Sequence, residues 1–171
     1  MRLVLTTLLT LTSLYGIGEN TVTMKANFTQ TITNDKNNTI TYSGDMLAKR
    51  PNLTMWHYAK PVEKTVYITT SNVTIIEPEL EQVIIKQLEN SIDILAILAA
   101  ATKVTENQYN AYYHDKEYKI NLENSEIKTI SYHDAFDNLV VITFTTRKVN
   151  APIEDALFYP SIPRDFDIIR D

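Results

Sequence analysis

The sequence predicts a single domain, mainly β with α, in which an antiparallel sheet curls round a helical segment. Two observations carry this. The stretches Thr21 to Ile76 and Thr105 to Phe144 are dense in Thr, Val, Ile and Tyr, residues that suit a pleated, half-buried surface. Between them, Pro78 to Thr102 drops the two-residue alternation and repeats apolar residues at close to helical spacing.

The first stretch reads as strands near 22–33, 38–49, 53–59, 64–70 and 72–76. The breaks between them are Asn34-Asp35-Lys36-Asn37, Lys49-Arg50-Pro51-Asn52, Ala59-Lys60-Pro61 and Ser71-Asn72, all turn-forming text. Four Asn-X-Thr triplets, at Asn27, Asn37, Asn52 and Asn72, match a glycosylation sequon but are incidental in so Thr- and Asn-rich a chain. In the second region, Glu79 and Glu81 follow Pro78, as in the first turn of a helix. Val83, Ile84, Leu88, Ile92, Leu95 and Leu98 then form an apolar stripe, which Ile85, Ile94 and Ile97 widen. So broad a stripe is expected to be covered on more than one side, as a lid is. Beyond Thr105, Tyr118, Ile120 and Leu122 alternate with Glu117, Lys119 and Asn121. Ile130 and Tyr132 follow, then a turn at His133 to Asn138, then Val140, Ile142 and Phe144. About nine to eleven strands with one or two helical insertions are expected.

Length and composition narrow the function. A chain of 171 residues suits one domain with a core of its own, and 44% hydrophobic with 22% charged residues is ordinary for a globular protein. A net charge of −5 argues against nucleic acid as a partner. With no cysteine there is no disulfide, no thiol chemistry and no site for N-terminal lipidation.

The N-terminus reads as an export leader. Arg2 precedes an uncharged run, Leu3 to Leu14, and Gly16-Ile17-Gly18 places small residues two apart, so cleavage is expected after Gly18. The run is too short for the ~20 residues of a membrane-spanning helix. Residues 1–18 are thus a leader and 19–171 the working domain, in which Gly44 is the sole glycine. No enzyme motif is visible. There is no G-x-S-x-G and no H-E-x-x-H, one glycine builds no phosphate cradle, and His57, His114 and His133 are scattered. Neither catalysis, metal nor cofactor is expected.

Several segments, in order, resemble the LolA family. They are Phe28-Thr29-Gln30, then Gly44, then Lys49-Arg50-Pro51-Asn52-Leu53-Thr54-Met55-Trp56-His57-Tyr58 with Lys60-Pro61. After these come Glu77-Pro78-Glu79-Leu80-Glu81-Gln82-Val83, Phe158-Tyr159-Pro160 and Asp167-Ile168-Ile169. The resemblance runs from about residue 24 to the end. It implies an incomplete, half-open antiparallel β-barrel covered by a helical lid. It also implies a monomeric periplasmic carrier without cofactor, which takes acylated lipoproteins from the inner-membrane LolCDE ABC transporter to an outer-membrane receptor, LolB or an equivalent. By resemblance Arg50 is the arginine that links barrel to lid and tunes release, while Trp56, Pro61, Pro78 and Gln82 fall on motif positions. A related fold serves lipoprotein-sensing regulators of envelope stress, the alternative reading. The chain departs from the family in having only Glu19 to Asn27 between the expected cleavage point and Phe28, where a longer helix is usual.

The task so implied sets a physical requirement. At about 0.8 kcal/mol per methylene, one ~16-carbon chain in water costs on the order of 13 kcal/mol, so a carrier needs a large apolar concavity. Expected lining residues are Ile40, Tyr42, Trp56, Val66, Ile68 and Ile75 from the first strands, Ile84, Leu88, Leu95 and Leu98 from the helical stripe, and Ile120, Ile142 and Phe144 from the last strands. Each is as well placed for ordinary core, and the text does not fix which face Ile40 or Val66 takes.

Overall fold

The computed structural model describes residues 17–87 and 92–170. The leader run Leu3 to Leu14 and the lining residue Leu88 lie outside the described residues.

Among the described residues twelve strands form one sheet. In chain order they are β1 (Thr23–Thr33), β2 (Thr39–Lys49), β3 (Leu53–Lys60), β4 (Lys64–Ile68), β5 (Asn72–Glu77) and β6 (Gln82–Gln87), then, after the helix α1 (Ile94–Ala99), β7 (Thr102–Lys103), β8 (Gln108–Tyr113), β9 (Lys116–Glu123), β10 (Glu126–His133), β11 (Leu139–Val149) and β12 (Asp167–Arg170). Their spatial order is β12-β6-β5-β4-β3-β2-β1-β11-β10-β9-β8-β7. Every pair is antiparallel except β12 with β6. The two ends do not meet, so the sheet is open.

The sheet is nonetheless strongly curved. Helix α1 packs against both β8 and β2, which four strands separate. In a flat sheet those two strands would lie about 24 Å apart. A six-residue helix is only about 9 Å long, so only a curled sheet brings both to it. The mainly β, half-open form expected from the sequence is present in this sense.

The helical expectation over Pro78 to Thr102 is corrected. Pro78–Leu80 is a single 3-10 turn, Glu81 takes a left-handed conformation, and Gln82–Gln87 returns as β6 beside β5. A short apolar run does not distinguish helix from strand by period. Here Val83, Ile84 and Ile85, β-branched and opposite Ile76, Ile75 and Thr74, favour the ladder. What remains helical is α1. Asp93 caps it, its Oδ1 accepting the Ala96 N–H at 3.0 Å, and Ile94, Leu95, Ile97 and Leu98 are all buried. The broad apolar girth was therefore real, but among the described residues no long helical lid covers the sheet.

The main core joins α1 to the inner face of the sheet, through Met24, Phe28, Met46, Trp56, Ile120, Ile130, Ile142 and Phe144. Leu47, Val83 and Phe158 are buried outside this cluster. Register puts Leu47 and Val83 on the outer face, where the tail crosses. A second 3-10 turn, Asp155–Phe158, packs on β3, and Lys49 Nζ donates to the Ile153 carbonyl at 2.8 Å and pairs with Asp155 at 2.6 Å. The tail then adds β12 at the edge, with the Asp167 N–H donating to the Glu81 carbonyl at 2.8 Å.

Candidate functional site: one apolar face and the Arg50 strap

Successive strand residues point to opposite faces, so register assigns each expected lining residue to a side. Trp56 stands opposite Met46 and Val66, Val66 opposite Ile75, and Ile75 opposite Ile84. Ile68 shares this side through Thr54, and Ile40 and Tyr42 through Ile32 and Gln30 of β1. Across β1, Phe28 faces Phe144 and Gln30 faces Ile142, which in turn faces Ile130 and then Ile120. All ten strand residues thus lie on one face, the face that α1 covers. Leu95 and Leu98 meet it from α1.

Coverage divides this face in two. Trp56, Ile68, Ile120, Ile142 and Phe144 are buried, as are Leu95 and Leu98. Tyr42, Val66, Ile75 and Ile84 are only half-buried, and Ile40 is 54% exposed. One apolar face therefore continues from the buried core into a less covered strip, an apolar trough formed by Val66, Ile75 and Ile84 of β4, β5 and β6. A smaller pocket of about 150 Å³ remains at the end of α1, lined by Ile17, Met24, Leu98, Leu122 and Ile127.

Arg50 sits where the cover meets the sheet. Its Nε donates to the Thr21 carbonyl at 2.8 Å, and its Nη2 donates to the carbonyls of Gly18 and Leu95, each at 3.0 Å. Its own N–H reaches the Val22 carbonyl at 2.9 Å. One planar guanidinium thereby ties the N-terminal segment, α1 and the end of β2 through main-chain oxygens, for which its fixed fork of donors suits. Gly18 is buried so close to α1 that an added Cβ would stand 2.4 Å from Leu98 Cβ.

An aromatic series runs along the inner face from the covered half to the open half. Phe28 meets Trp56 edge-on at 4.9 Å and Tyr58 at 5.2 Å, and Tyr58 meets Tyr42 at 5.8 Å. At its outer end Lys64 Nζ lies 4.9 Å from the Tyr58 ring and 5.4 Å from the Tyr42 ring. Burial, with Tyr42 adding to it, pushes the Tyr58 phenol up to about 12, and burial likewise raises Tyr132. On the outer face His57 Nδ1 lies 3.0 Å from Asp45 and its Nε2 3.7 Å from Glu63. The Asp45 hydrogen bond raises the imidazole against an opposing effect of burial.

Sequence reasoning missed Lys64 and the acceptor role of Gly18 and Thr21. Lys64 was within reach, because a hairpin across Pro61 places it opposite Tyr58. The carbonyls that Arg50 finds were not, since main-chain acceptors leave no mark in side-chain text. Among the described residues no group of three or more His, Asp or Glu is arranged to hold a metal ion.

Comparison with known proteins gives concordant results. The family model "Outer membrane lipoprotein carrier protein LolA" matches residues 19–119. An outer-membrane lipoprotein carrier protein of Campylobacter jejuni is 35% identical, over 92% of this chain and 92% of its own length. One of Wolinella succinogenes is 33% identical over 89% of each. Among solved structures, an uncharacterized conserved protein of Thermus thermophilus superposes with a TM-score of 0.55 at 12% identity, covering 90% of this chain and 93% of that one, a likeness of fold alone.

Proposed function

Since this chain belongs to the LolA family of outer-membrane lipoprotein carriers, we propose that it is an exported periplasmic carrier that shelters the acyl chains of lipoproteins on its inner face. The observation that carries this is the continuity of that face. Ten of the expected lining residues, Ile84 of the supposed helical stripe among them, stand on strands and all point the same way, five of them buried in the core and five less covered. Acyl chains lie first along Val66, Ile75, Ile84 and Tyr42. They reach the deeper surface of Trp56, Ile68, Ile120, Ile142 and Phe144 when α1, carrying Leu95 and Leu98, swings away.

Arg50 sets the balance between these states. Its bond to Leu95 holds α1 down when the face is empty, so closure competes with cargo and helps to expel it at the receiver. Residues 1–18 are the export leader, and cleavage after Gly18 leaves Arg50 the Thr21 and Leu95 carbonyls. Loading is from the LolCDE transporter and unloading to LolB or an equivalent receptor, with the carrier acting as a monomer. No chemical step is involved: the work is the transfer of hydrocarbon between environments, where ~13 kcal/mol per chain must be sheltered throughout.

The test is release of newly made lipoprotein from inner-membrane spheroplasts by the purified mature chain. Soluble lipoprotein in complex with the chain is the expected result. Lipoprotein that stays in the membrane fraction at all concentrations of the chain would overturn the reading.

A further inference from the structure

The turn between β3 and β4 places one cation at the lip of the apolar trough. Lys64 opposes Tyr58, and two residues further along β4 Val66 opposes Trp56, so Lys64 shares the inner face with the lining residues. Its ammonium rests over the Tyr58 and Tyr42 rings at 4.9 and 5.4 Å. No carboxylate of the described residues lies within ion-pair distance of it. The neighbouring Glu63 points instead to the outer face, 3.7 Å from His57. In a chain of net charge −5, this is a half-buried cation without a counter-ion among the described residues, at the boundary of an apolar surface and water. Aromatic rings hold a cation in place but leave its charge uncompensated.

We propose that Lys64, Tyr42 and Tyr58 form a headgroup subsite for a single-chain anionic amphiphile whose acyl chain lies along Val66, Ile75 and Ile84. The proposal rests on the reading of the inner face as an acyl-chain surface and adds to it a ligand class: a carboxylate or phosphate carried on one hydrocarbon chain. The anion sits against the ammonium as a charge-assisted contact, strengthened because the rings and the trough exclude water from one side. Tyr58 is a neutral phenol at physiological pH, as an ordinary tyrosine is, and burial raises it further, so it remains a hydroxyl donor. Along a strand, Val66 lies about 7 Å from Lys64, so a chain entering at the headgroup meets apolar side chains at once.

Trp56, the only tryptophan, faces Val66 on this surface and reports a chain laid there. The experiment titrates the mature protein with dibromostearate, dibrominated stearyl alcohol and a dibrominated lysophosphatidate, below their micelle concentrations, and follows quenching of Trp56. The expected result is that either anion binds at least tenfold tighter than the alcohol at neutral pH. Lys64→Gln is expected to bring all three within about twofold of one another, with the alcohol unchanged, and Lys64→Arg to restore the preference. The tighter of the two anions identifies carboxylate or phosphate as the source. Equal affinity for the anions and the alcohol in the unaltered protein, or a tenfold preference surviving in Lys64→Gln, overturns the proposal. Absence of quenching by all three, alcohol included, overturns the acyl-surface reading together with it.

Discussion

Arg50 Nη2 and the main-chain oxygen of Leu95 stand 3.0 Å apart, across the seam between the end of β2 and α1. Arg50 Nε also donates to the Thr21 carbonyl, so in the chain cleaved after Gly18 two hydrogen bonds from a single side chain hold the closed arrangement. At about 0.5–1.5 kcal/mol each, they favour closure by roughly 2 kcal/mol, which is about thirtyfold in an equilibrium. Arg50→Leu is expected to stay folded with a melting point a few degrees lower, and to hold lipoprotein longer. Hand-over to outer-membrane vesicles should slow by tenfold or more. A variant that unloads at the normal rate would remove Arg50 from the release step.

Gly44 is required by contact rather than by backbone conformation. A Cβ there would lie 1.8 Å from the His57 carbonyl oxygen and 3.1 Å from Tyr58 Cα, at the irregularity in the β2–β3 ladder. The obstruction is main chain, so no rotamer relieves it, and the two strands must part. Gly44→Ala is expected to cost about 3 kcal/mol or more, read as a lower urea midpoint or as loss of soluble protein.

Much of this architecture was legible beforehand because strands announce themselves by alternation and by their breaks. The expected strands near 22–33, 38–49 and 53–59 match β1, β2 and β3 closely, and the alternation at Tyr118, Ile120 and Leu122 became β9. That Val66 and Ile120 share a face was not legible, since it depends on which strands pair and not on any one strand. The stripe from Val83 to Leu98 failed as a helix because two different structures divide it: a hairpin partner takes Val83 and Ile84, and a capped turn of helix begins only after Asp93. The tail hid its role for a related reason. Asp167 to Arg170 is too short to declare itself, and becomes a strand only because β6 offers an edge. For the site, Arg50 was singled out by a motif, while its acceptors emerged only with the fold.

The division of the inner face into buried and less covered halves predicts that stability and cargo binding respond to different residues. Phe144 is fully buried beneath α1, and Phe144→Ala should cost about 3–5 kcal/mol. Ile75 is half-buried between Val66 and Ile84. Ile75→Asn should cost only about 1 kcal/mol, yet weaken lipoprotein capture about tenfold, because it places an amide where a chain lies. Urea unfolding and capture measured on both variants decide the matter. Equal losses of stability would mean the trough is ordinary core.

His57 supplies a pH dependence whose sign follows from its surroundings. The hydrogen bond to Asp45 raises the imidazole above its ordinary value, burial opposes this, and the charges of Asp45 and Glu63 add to the rise. A group raised by folding contributes its full stability below the unfolded value of about 6.5 and loses it as pH climbs through the folded value. The imidazole is about one-third exposed, at 35%, so solvent limits the contribution to under about 1 kcal/mol. His57→Gln should therefore be destabilised relative to the parent at pH 6, while the two should have nearly the same urea midpoint at pH 9. Because His57 faces away from the trough, cargo capture by the variant should follow pH as the parent does. A midpoint difference that is the same at both pH values would show that the imidazole acts through packing, with its charge making no difference to the fold.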